Sequence, residues 1–189
     1  MCDRDPPTPP DDRSDEALVA ALNAGDTSAF DAVYYRYRDW VVHLAHRFTG
    51  SADDALDVLQ ETFAYLFRKF PGFVLTARMT TFLYPVVRNL SIAARRKRQR
   101  HAGDDLTLAP DASASAPPHA EQSRDELAVV LAGLPDTHRE VLLMRFVDEM
   151  ALAQIAQALS IPEGTVKSRL HHAIAALRND PRVREYFEC

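Results

Sequence analysis

Cysteine is nearly absent from this 189-residue chain, with Cys2 and Cys189 at opposite ends. Two such thiols make neither a disulfide framework nor a clustered metal site, so we read them as solvated thiols, with a redox switch as the alternative. No apolar run approaches the roughly 18 residues needed to cross a bilayer. The first sixteen residues are acidic and proline-rich, unlike a secretory signal, so we expect a cytoplasmic protein without membrane insertion.

Sequence signatures of enzymes are missing as well. We find no Walker loop, nucleophile elbow, zinc motif or catalytic cysteine setting. His43 and His46 are spaced i, i+3 but lack the HExxH pattern, so packing or surface roles are favoured. The sequence therefore predicts no catalytic residue, no metal site and no cofactor, and it disfavours a small helical enzyme.

Charge is unevenly distributed along the chain, whose formal net charge is −5. Residues 17–101 carry twelve bases and seven acids, whereas residues 102–132 carry one base and six acids. A basic folded unit is the electrostatic condition for binding a phosphate backbone. Nucleic-acid binding is therefore compatible with the acidic total.

Helical periodicity recurs along the sequence, and alternation of strand period does not. Turn and capping residues delimit the expected helices of the first unit: about 16–23, then from a cap at Asp26 or Thr27 to Gly50, from the cap Ser51 to Pro71-Gly72, and from Thr80 or Thr81 into a basic run ending at Arg100.

The predicted fold class is all-α, with two small helical domains joined by a flexible linker. Residues 102–120 are mainly Ala, Ser, Pro and Asp and offer little to bury, which is typical of a linker. The chain is divided as follows: a disordered acidic N-terminal segment 1–13, a first domain 14–101, a flexible acidic linker 102–120, a second domain 121–178 of four helices, and a tail 179–189.

A helix-turn-helix is the strongest local pattern, over residues 151–178. One apolar face precedes the turn Ser160-Ile161, and Pro162 suits the first position of the next helix. The outer face of that helix carries small polar and basic side chains, as a recognition helix in the major groove requires. An amphipathic hairpin with a merely solvated face is the alternative, and the near-absence of acids on the outer face argues against it.

The stretch LPDTHREVLLMRFVDEMALAQIAQALSIPEGTVKSRLHHAIAALR resembles domain 4 of sigma factors, which reads the −35 element and contacts the polymerase β flap. The resemblance implies the following −35 contacts: Lys167, Ser168, His171 and His172 toward base edges, and Thr165 and Arg169 toward the backbone. Departures from the family pattern are Ala151 for a capping Ser, Ser160 for Gly, and His172 and Ile174 for arginines. Fewer cations imply weaker free-standing DNA affinity.

A concentrated acidic stripe lies on the helix SADDALDVLQETFAYLFRKF. Its members fall within about 60° of Asp57 on a helical wheel: Asp53, Asp54, Asp57, Gln60 and Glu61. A solvated face is the default interpretation, metal binding is disfavoured because no His is present, and a basic protein partner is the functional interpretation. The stretch resembles sigma region 2.2, which implies docking on the β′ clamp helices of core RNA polymerase.

The segment MTTFLYPVVRNLSIAARRKRQR is similar to sigma regions 2.3 and 2.4. Opening DNA needs apolar or aromatic surfaces for unstacked bases and cations for the displaced strand. The −10 candidates are Phe82, Tyr84, Arg88, Asn89, Arg95, Arg96, Lys97 and Arg98. Phe82 and Tyr84 have ordinary core packing as their alternative. Pro85 costs only the first intrahelical bond if Thr81 is the cap, whereas an earlier helix start predicts a kink.

The resemblance covers about residues 14–178 and identifies an extracytoplasmic-function (ECF) sigma factor of the sigma-70 family. It implies a non-enzymatic subunit that binds core RNA polymerase, recognises −35 and −10 promoter elements and begins DNA melting. It also implies an anti-sigma factor or other regulator as a partner, and a loop, Pro71–Arg78, that helps to hold an extruded −10 base. A free-standing helix-turn-helix regulator, independent of polymerase, is the alternative function.

Overall fold

The structure is a computed structural model that describes residues 11–102 and 129–181. The chain divides into two compact units after Pro110, and each unit is helical. No strand occurs in either described range, which confirms the predicted all-α fold class. The predicted linker, apart from Ala102 at the end of a helix, lies outside the described residues.

The described part of the first unit, residues 11–102, contains four helices: α1 Asp15–Asn23, α2 Ser28–Thr49, α3 Ala52–Phe67 and α4 Met79–Ala102. Side-chain oxygens begin two of them, since Ser14 accepts from the Ala17 amide at 3.2 Å and Ser51 from the Asp54 amide at 3.3 Å. Gly50 ends α2 with φ 65°, a left-handed conformation that glycine adopts without a Cβ penalty. The predicted boundary, at which Gly50 ends α2 and Ser51 caps α3, is therefore confirmed.

Helix α4 begins at Met79, earlier than the predicted Thr80 or Thr81. The Arg78 carbonyl accepts from the amides of Thr81 (2.9 Å) and Phe82 (3.2 Å), so the first turn is already closed upstream of the expected cap. Pro85 consequently lies inside the helix, where its ring removes one backbone donor. The helix therefore starts early enough for the case in which a kink is predicted at Pro85.

The core of the first unit lies where α2 packs against α1, α3 and α4 and where α3 packs against α4. Its fully or almost fully buried side chains include these aliphatic ones: Leu18, Val33, Val41, Leu44, Val58, Leu66, Leu83 and Val87. Burying these side chains sets the rotational phase of each helix. The polar faces of α3 and α4 are thereby turned outward next to one another.

Residues 11–13 depart from the prediction of a disordered segment over 1–13. Arg13 forms ion pairs with Asp11 (2.7 Å) and Asp26 (3.0 Å), and Arg36 on α2 donates to the Asp11 and Arg13 carbonyls. The hydrogen bonds from Arg13 also hold the pKa of the Asp11 carboxyl down at about 2. Composition could not reveal this because Asp26 and Arg36 lie further along the chain. Residues 1–10 lie outside the described range.

The second unit contains α6 Asp136–Phe146, α7 Leu152–Leu159 and α8 Glu163–Asn179, preceded by α5, whose described part is 129–132. Helices α7 and α8 form the predicted helix-turn-helix. Ser160 adopts φ 54° at the turn, and the Ile161 amide bonds the Ala156 carbonyl at 3.0 Å. Pro162 precedes the first residue of α8 instead of occupying it. Leu134, Leu142 and Ala173 form the centre of a small core.

Helix α7 carries only half of a capping box. The Gln154 side chain accepts from the Ala151 amide at 2.8 Å, but the Ala151 methyl group cannot accept in return. We expect Ala151→Ser to raise the free energy of unfolding of the second unit by about 1 kcal/mol, because the hydroxyl would satisfy the Gln154 amide. Thermal and denaturant unfolding measure the change.

The matched control is Ala153→Ser, at an exposed position inside the same helix. Serine there has no cap to complete and is expected to be neutral or slightly destabilising. Equal stabilisation by both variants would contradict the capping explanation.

Candidate functional site

The acidic stripe forms a surface on α3. The residues Asp53, Asp57, Gln60 and Glu61 are exposed, and Asp54 is partly buried. Ala55, Val58, Leu59 and Phe63 of the same helix are buried in the core. All five predicted side chains are therefore brought together on the face of α3 that points away from the apolar interior.

A groove of about 410 Å³ runs between this stripe and α4. Acidic side chains line one wall, and Leu90, Ala93, Ala94, Lys97 and Arg98 line the other. Arg98 donates to the Asp54 carboxylate at 2.5 Å and to the Thr49 carbonyl at 2.6 Å. Two candidates assigned to different partners are thus paired with each other, an arrangement that the sequence did not predict.

The remaining cations of the basic run are on the surface of α4. Arg95, Arg96 and Lys97 are exposed, as is the amide side chain of Asn89, whereas Arg88 is partly buried. Ser91 is buried, whereas every side chain from Arg95 to Arg100 is exposed, so this part of the α4 surface is largely cationic. A cationic surface of this kind attracts phosphate groups without sequence preference.

Tyr84 has the core packing that was the alternative to a stacking surface. Its side chain is only 1% exposed, and its ring centroid lies 6.3 Å from that of Phe48 on α2. Tyr84 packs in the core because Leu83, Tyr84 and Val87 lie on the buried face of α4. Phe82, in contrast, is partly exposed.

Phe82 belongs to an aromatic cluster that the sequence analysis missed. Its ring centroid lies 4.8 Å from Phe73 and 6.4 Å from Tyr65, whose ring it stacks against. Phe73 in turn contacts Phe70 at 5.4 Å, and the Lys69 ammonium lies 4.7 Å above the Tyr65 ring. All four aromatic side chains are partly exposed. Their dispersion over α3, the following loop and α4 left no periodic signal.

The outer face of α8 is polar and accessible. Lys167, Ser168, His171 and His172 are exposed, while Thr165 and Arg169 are partly buried. Val166 and Ala173 of the same helix are fully buried, so the predicted orientation of α8 is observed. Lys167 forms an exposed ion pair with Glu163 at 2.8 Å.

A third imidazole joins the two on α8. The His138 ring, on α6, lies 5.9 Å from His172 at an interplanar angle of 21°, and His171 lies 5.7 Å from His172. No group of three metal-ligating side chains suited to an ion occurs within the parts of the chain described. Within the same ranges, no helix is long and apolar enough to span a membrane.

A helix-turn-helix with an exposed polar and basic recognition face defines a DNA-binding protein. Two family models match the chain: sigma-70 region 2 over residues 33–101 and sigma-70 region 4 over residues 130–179. The ECF RNA polymerase sigma factor SigW of Bacillus subtilis is 30% identical over 87% of this chain and 95% of its own length. SigL of Mycobacterium tuberculosis is 35% identical over 86% and 94%.

Solved structures support the same fold. CnrH in complex with the cytosolic domain of CnrY superposes with a TM-score of 0.64 at 20% identity, covering 86% of this chain and 93% of CnrH. The sigma factor RpoE of Bartonella quintana, in complex with the anti-sigma factor NepR, gives 0.60 at 19% identity and covers 80% and 96%.

The chain therefore belongs to the sigma-70 family, among its ECF RNA polymerase sigma factors. The expected family membership is confirmed, and the alternative of a free-standing regulator is not favoured.

Tyr84 and Phe82 should respond differently to truncation. We expect Tyr84→Ala to lower the free energy of unfolding by about 3–5 kcal/mol, because it empties a buried site. Phe82→Ala should cost less stability but slow promoter opening, because its ring is accessible. Denaturant unfolding and a reconstituted promoter-opening assay measure the two effects.

Tyr84→Phe, which retains the ring, is the control for Tyr84 and should melt promoters at the wild-type rate. Wild-type stability of Tyr84→Ala would contradict a core role.

Proposed function

We propose that the first unit docks on core RNA polymerase through the acidic stripe and opens the −10 element, while the second unit reads the −35 element. The observation that carries this proposal is the adjacency of opposite charges across the α3–α4 groove. An acidic surface for a protein partner lies beside a cationic surface for nucleic acid. A sigma factor must bind both at once.

The acidic stripe suits a basic protein partner. The carboxylates of Asp53, Asp57 and Glu61 are exposed, concentrated on one helix face, and set in a unit whose sequence is otherwise basic. Complementary charge accelerates association and fixes the orientation of partners. The family resemblance assigns this role to the β′ clamp helices, with Asp57, Gln60 and Glu61 at the centre and Asp53 and Asp54 beside them.

Strand opening requires a surface for unstacked bases. Partly exposed aromatic rings stack with any base, and nearby cations retain the displaced strand. Phe82, supported by Tyr65 and Phe73, supplies such rings, and Arg95, Arg96 and Lys97 supply the cations. Asn89 presents an exposed amide, which has the donor and acceptor needed to read a base edge. Arg88 and Arg98 stay in this proposal as contacts to the DNA backbone.

Recognition of the −35 element falls to α8. The helix exposes Lys167, Ser168, His171 and His172 toward solvent, where base edges of the major groove could be met. Thr165 and Arg169 on its flanks suit phosphate contacts. Lys167 must leave Glu163 to bind DNA, and an exposed pair of this type opposes that exchange by at most about 1 kcal/mol.

We further propose that an anti-sigma protein restrains this sigma factor, since one structural relative is in complex with an anti-sigma factor and another with the cytosolic domain of CnrY. The chain itself would supply no chemistry, and the polymerase would catalyse RNA synthesis. Because core polymerase works in the cytoplasm, we propose the same location for this protein.

Charge reversal tests the docking surface. We expect Asp57→Lys with Glu61→Lys to reduce affinity for core polymerase by at least 100-fold, because two attractive contacts become repulsive. Titration of labelled sigma factor with core polymerase measures the affinity.

The control with the same charge change is Glu16→Lys with Asp31→Lys, at exposed positions outside the stripe. It should bind core as the wild type does. Equal loss in both double variants, or wild-type binding by the first, would refute the assigned surface.

Two α8 variants separate base reading from backbone binding. We expect Lys167→Ala to lose about 1–3 kcal/mol of discrimination at one −35 position, because a base-edge contact disappears. Arg169→Ala should weaken all promoters similarly and lower the salt slope by about 1, as a lost phosphate contact does. Holoenzyme binding to a −35 substitution series at several salt concentrations measures both.

Arg178→Ala, at the far end of the same helix, serves as the control. Indistinguishable profiles for Lys167→Ala and Arg169→Ala would contradict the division of roles.

A further inference from the structure

Asn23, the last residue of α1, holds the loop that precedes α4. Its side-chain oxygen accepts from the backbone amides of Gly72 at 2.6 Å and Phe73 at 3.1 Å. Its side-chain nitrogen donates to the Phe73 carbonyl at 2.8 Å. One amide side chain therefore satisfies three backbone groups about fifty positions away in the sequence.

Both backbone groups of Phe73 are thereby fixed, which places a constraint on its side chain. The Phe73 ring bridges Phe70 at 5.4 Å and Phe82 at 4.8 Å. Phe82 is the ring proposed to receive an unstacked base. The bonds to Asn23 consequently determine how the loop presents one side of the aromatic cluster.

Helix α1 offers a firm support for this clamp. Asp15, at its start, accepts from Arg36 at 2.8 Å and from the Tyr37 hydroxyl at 2.5 Å, and both donors lie on α2. Leu18, Val19 and Leu22 bury its apolar face. The position of Asn23 is therefore set by the core and not by the loop that it binds.

Gly72 shows that the clamped conformation is a demanding one. Its φ of 101° lies in the region that side chains with a Cβ rarely adopt. A Cβ at this position would meet no atom within 4 Å, so the obstacle to substitution is backbone conformation and not space. Two features therefore favour this loop conformation: the glycine at position 72 and the hydrogen bonds of the Asn23 amide.

We propose that Asn23 is a positioning residue for −10 recognition: by fixing the backbone at Gly72 and Phe73, it sets the geometry in which the aromatic cluster captures an extruded base. This inference rests on the proposed role of Phe82 and its neighbours in strand opening. Asn23 itself does not touch DNA in this proposal. It acts through the loop.

The test separates promoter binding from promoter opening. A promoter is first selected by transcription from a library with randomised −35 and −10 elements, using wild-type holoenzyme. Closed-complex affinity is then measured at low temperature, and opening is followed with 2-aminopurine in the −10 element. Each is repeated on promoters substituted at single −10 positions.

For Asn23→Ala we expect core affinity and closed-complex affinity within about twofold of wild type. Opening on the selected promoter should slow by roughly 10-fold, as expected for misplaced reacting groups. One of the substituted promoters will be opened most slowly by the wild type. Asn23→Ala should open that promoter at nearly the wild-type rate, so the difference in opening rate between the selected and the substituted promoter should shrink. A merely structural role would lower all activities together.

Two further variants strengthen the test. Asn23→Asp keeps the two acceptor bonds and loses the donor, so its opening rate should lie between wild type and Asn23→Ala. Gly72→Ala disturbs the same loop without touching α1 and should reproduce the Asn23→Ala profile. The double variant should be no worse than either single variant, because the two act on one element.

Glu16→Ala, exposed on the same helix, is the control and should open promoters as the wild type does. The inference is overturned if Asn23→Ala and Gly72→Ala keep wild-type opening and discrimination, or if Glu16→Ala shows the same loss. If Phe82→Ala opens promoters at the wild-type rate, the proposed function of the aromatic cluster is refuted. That result is distinct from a failure confined to Asn23.

Discussion

The first unit depends on the packing of α3 and α4 against α2 and against each other. Buried side chains such as Leu66, Leu83 and Val87 fix the rotation of these helices about their axes. A helix whose apolar face is fixed has no freedom left for its polar face. The carboxylates of α3 and the cations of α4 must therefore emerge on adjacent surfaces. The proposed division between a protein-binding and a DNA-binding surface rests on this core.

Helix existence and phase were largely predictable because they depend on short-range periodicity and on local capping. Ser51 and Gly50 act as their sequence positions suggest, and the acidic stripe faces outward as the wheel predicts. Tyr84 kept two interpretations at the level of sequence, because an aromatic residue at a helical position is equally suited to core and to site. Only the tertiary packing against Phe48 decides between these.

Contacts between distant residues could not be obtained from the sequence. The Asn23 clamp joins α1 to a loop, the His138 ring meets α8 from another helix, and Tyr65 meets Phe82 across two elements. Each pair combines residues without any shared periodic pattern. In the turn of the second unit, Ser160 carries a left-handed conformation that glycine would adopt more readily. The sequence shows that Ser160 stands where the family pattern has Gly, but it does not show the backbone conformation of Ser160.

The bond between Arg98 and Asp54 has a thermodynamic consequence. A ligand that takes the Asp54 oxygen bonded to Arg98 displaces Arg98, and a phosphate that takes Arg98 leaves that oxygen available. Linkage requires that each binding event change the affinity of the other by an equal factor. For a partly exposed pair, the corresponding coupling free energy is about 1 kcal/mol or less. Binding of polymerase and binding of promoter would then each slightly raise the affinity for the other through the guanidinium group of Arg98.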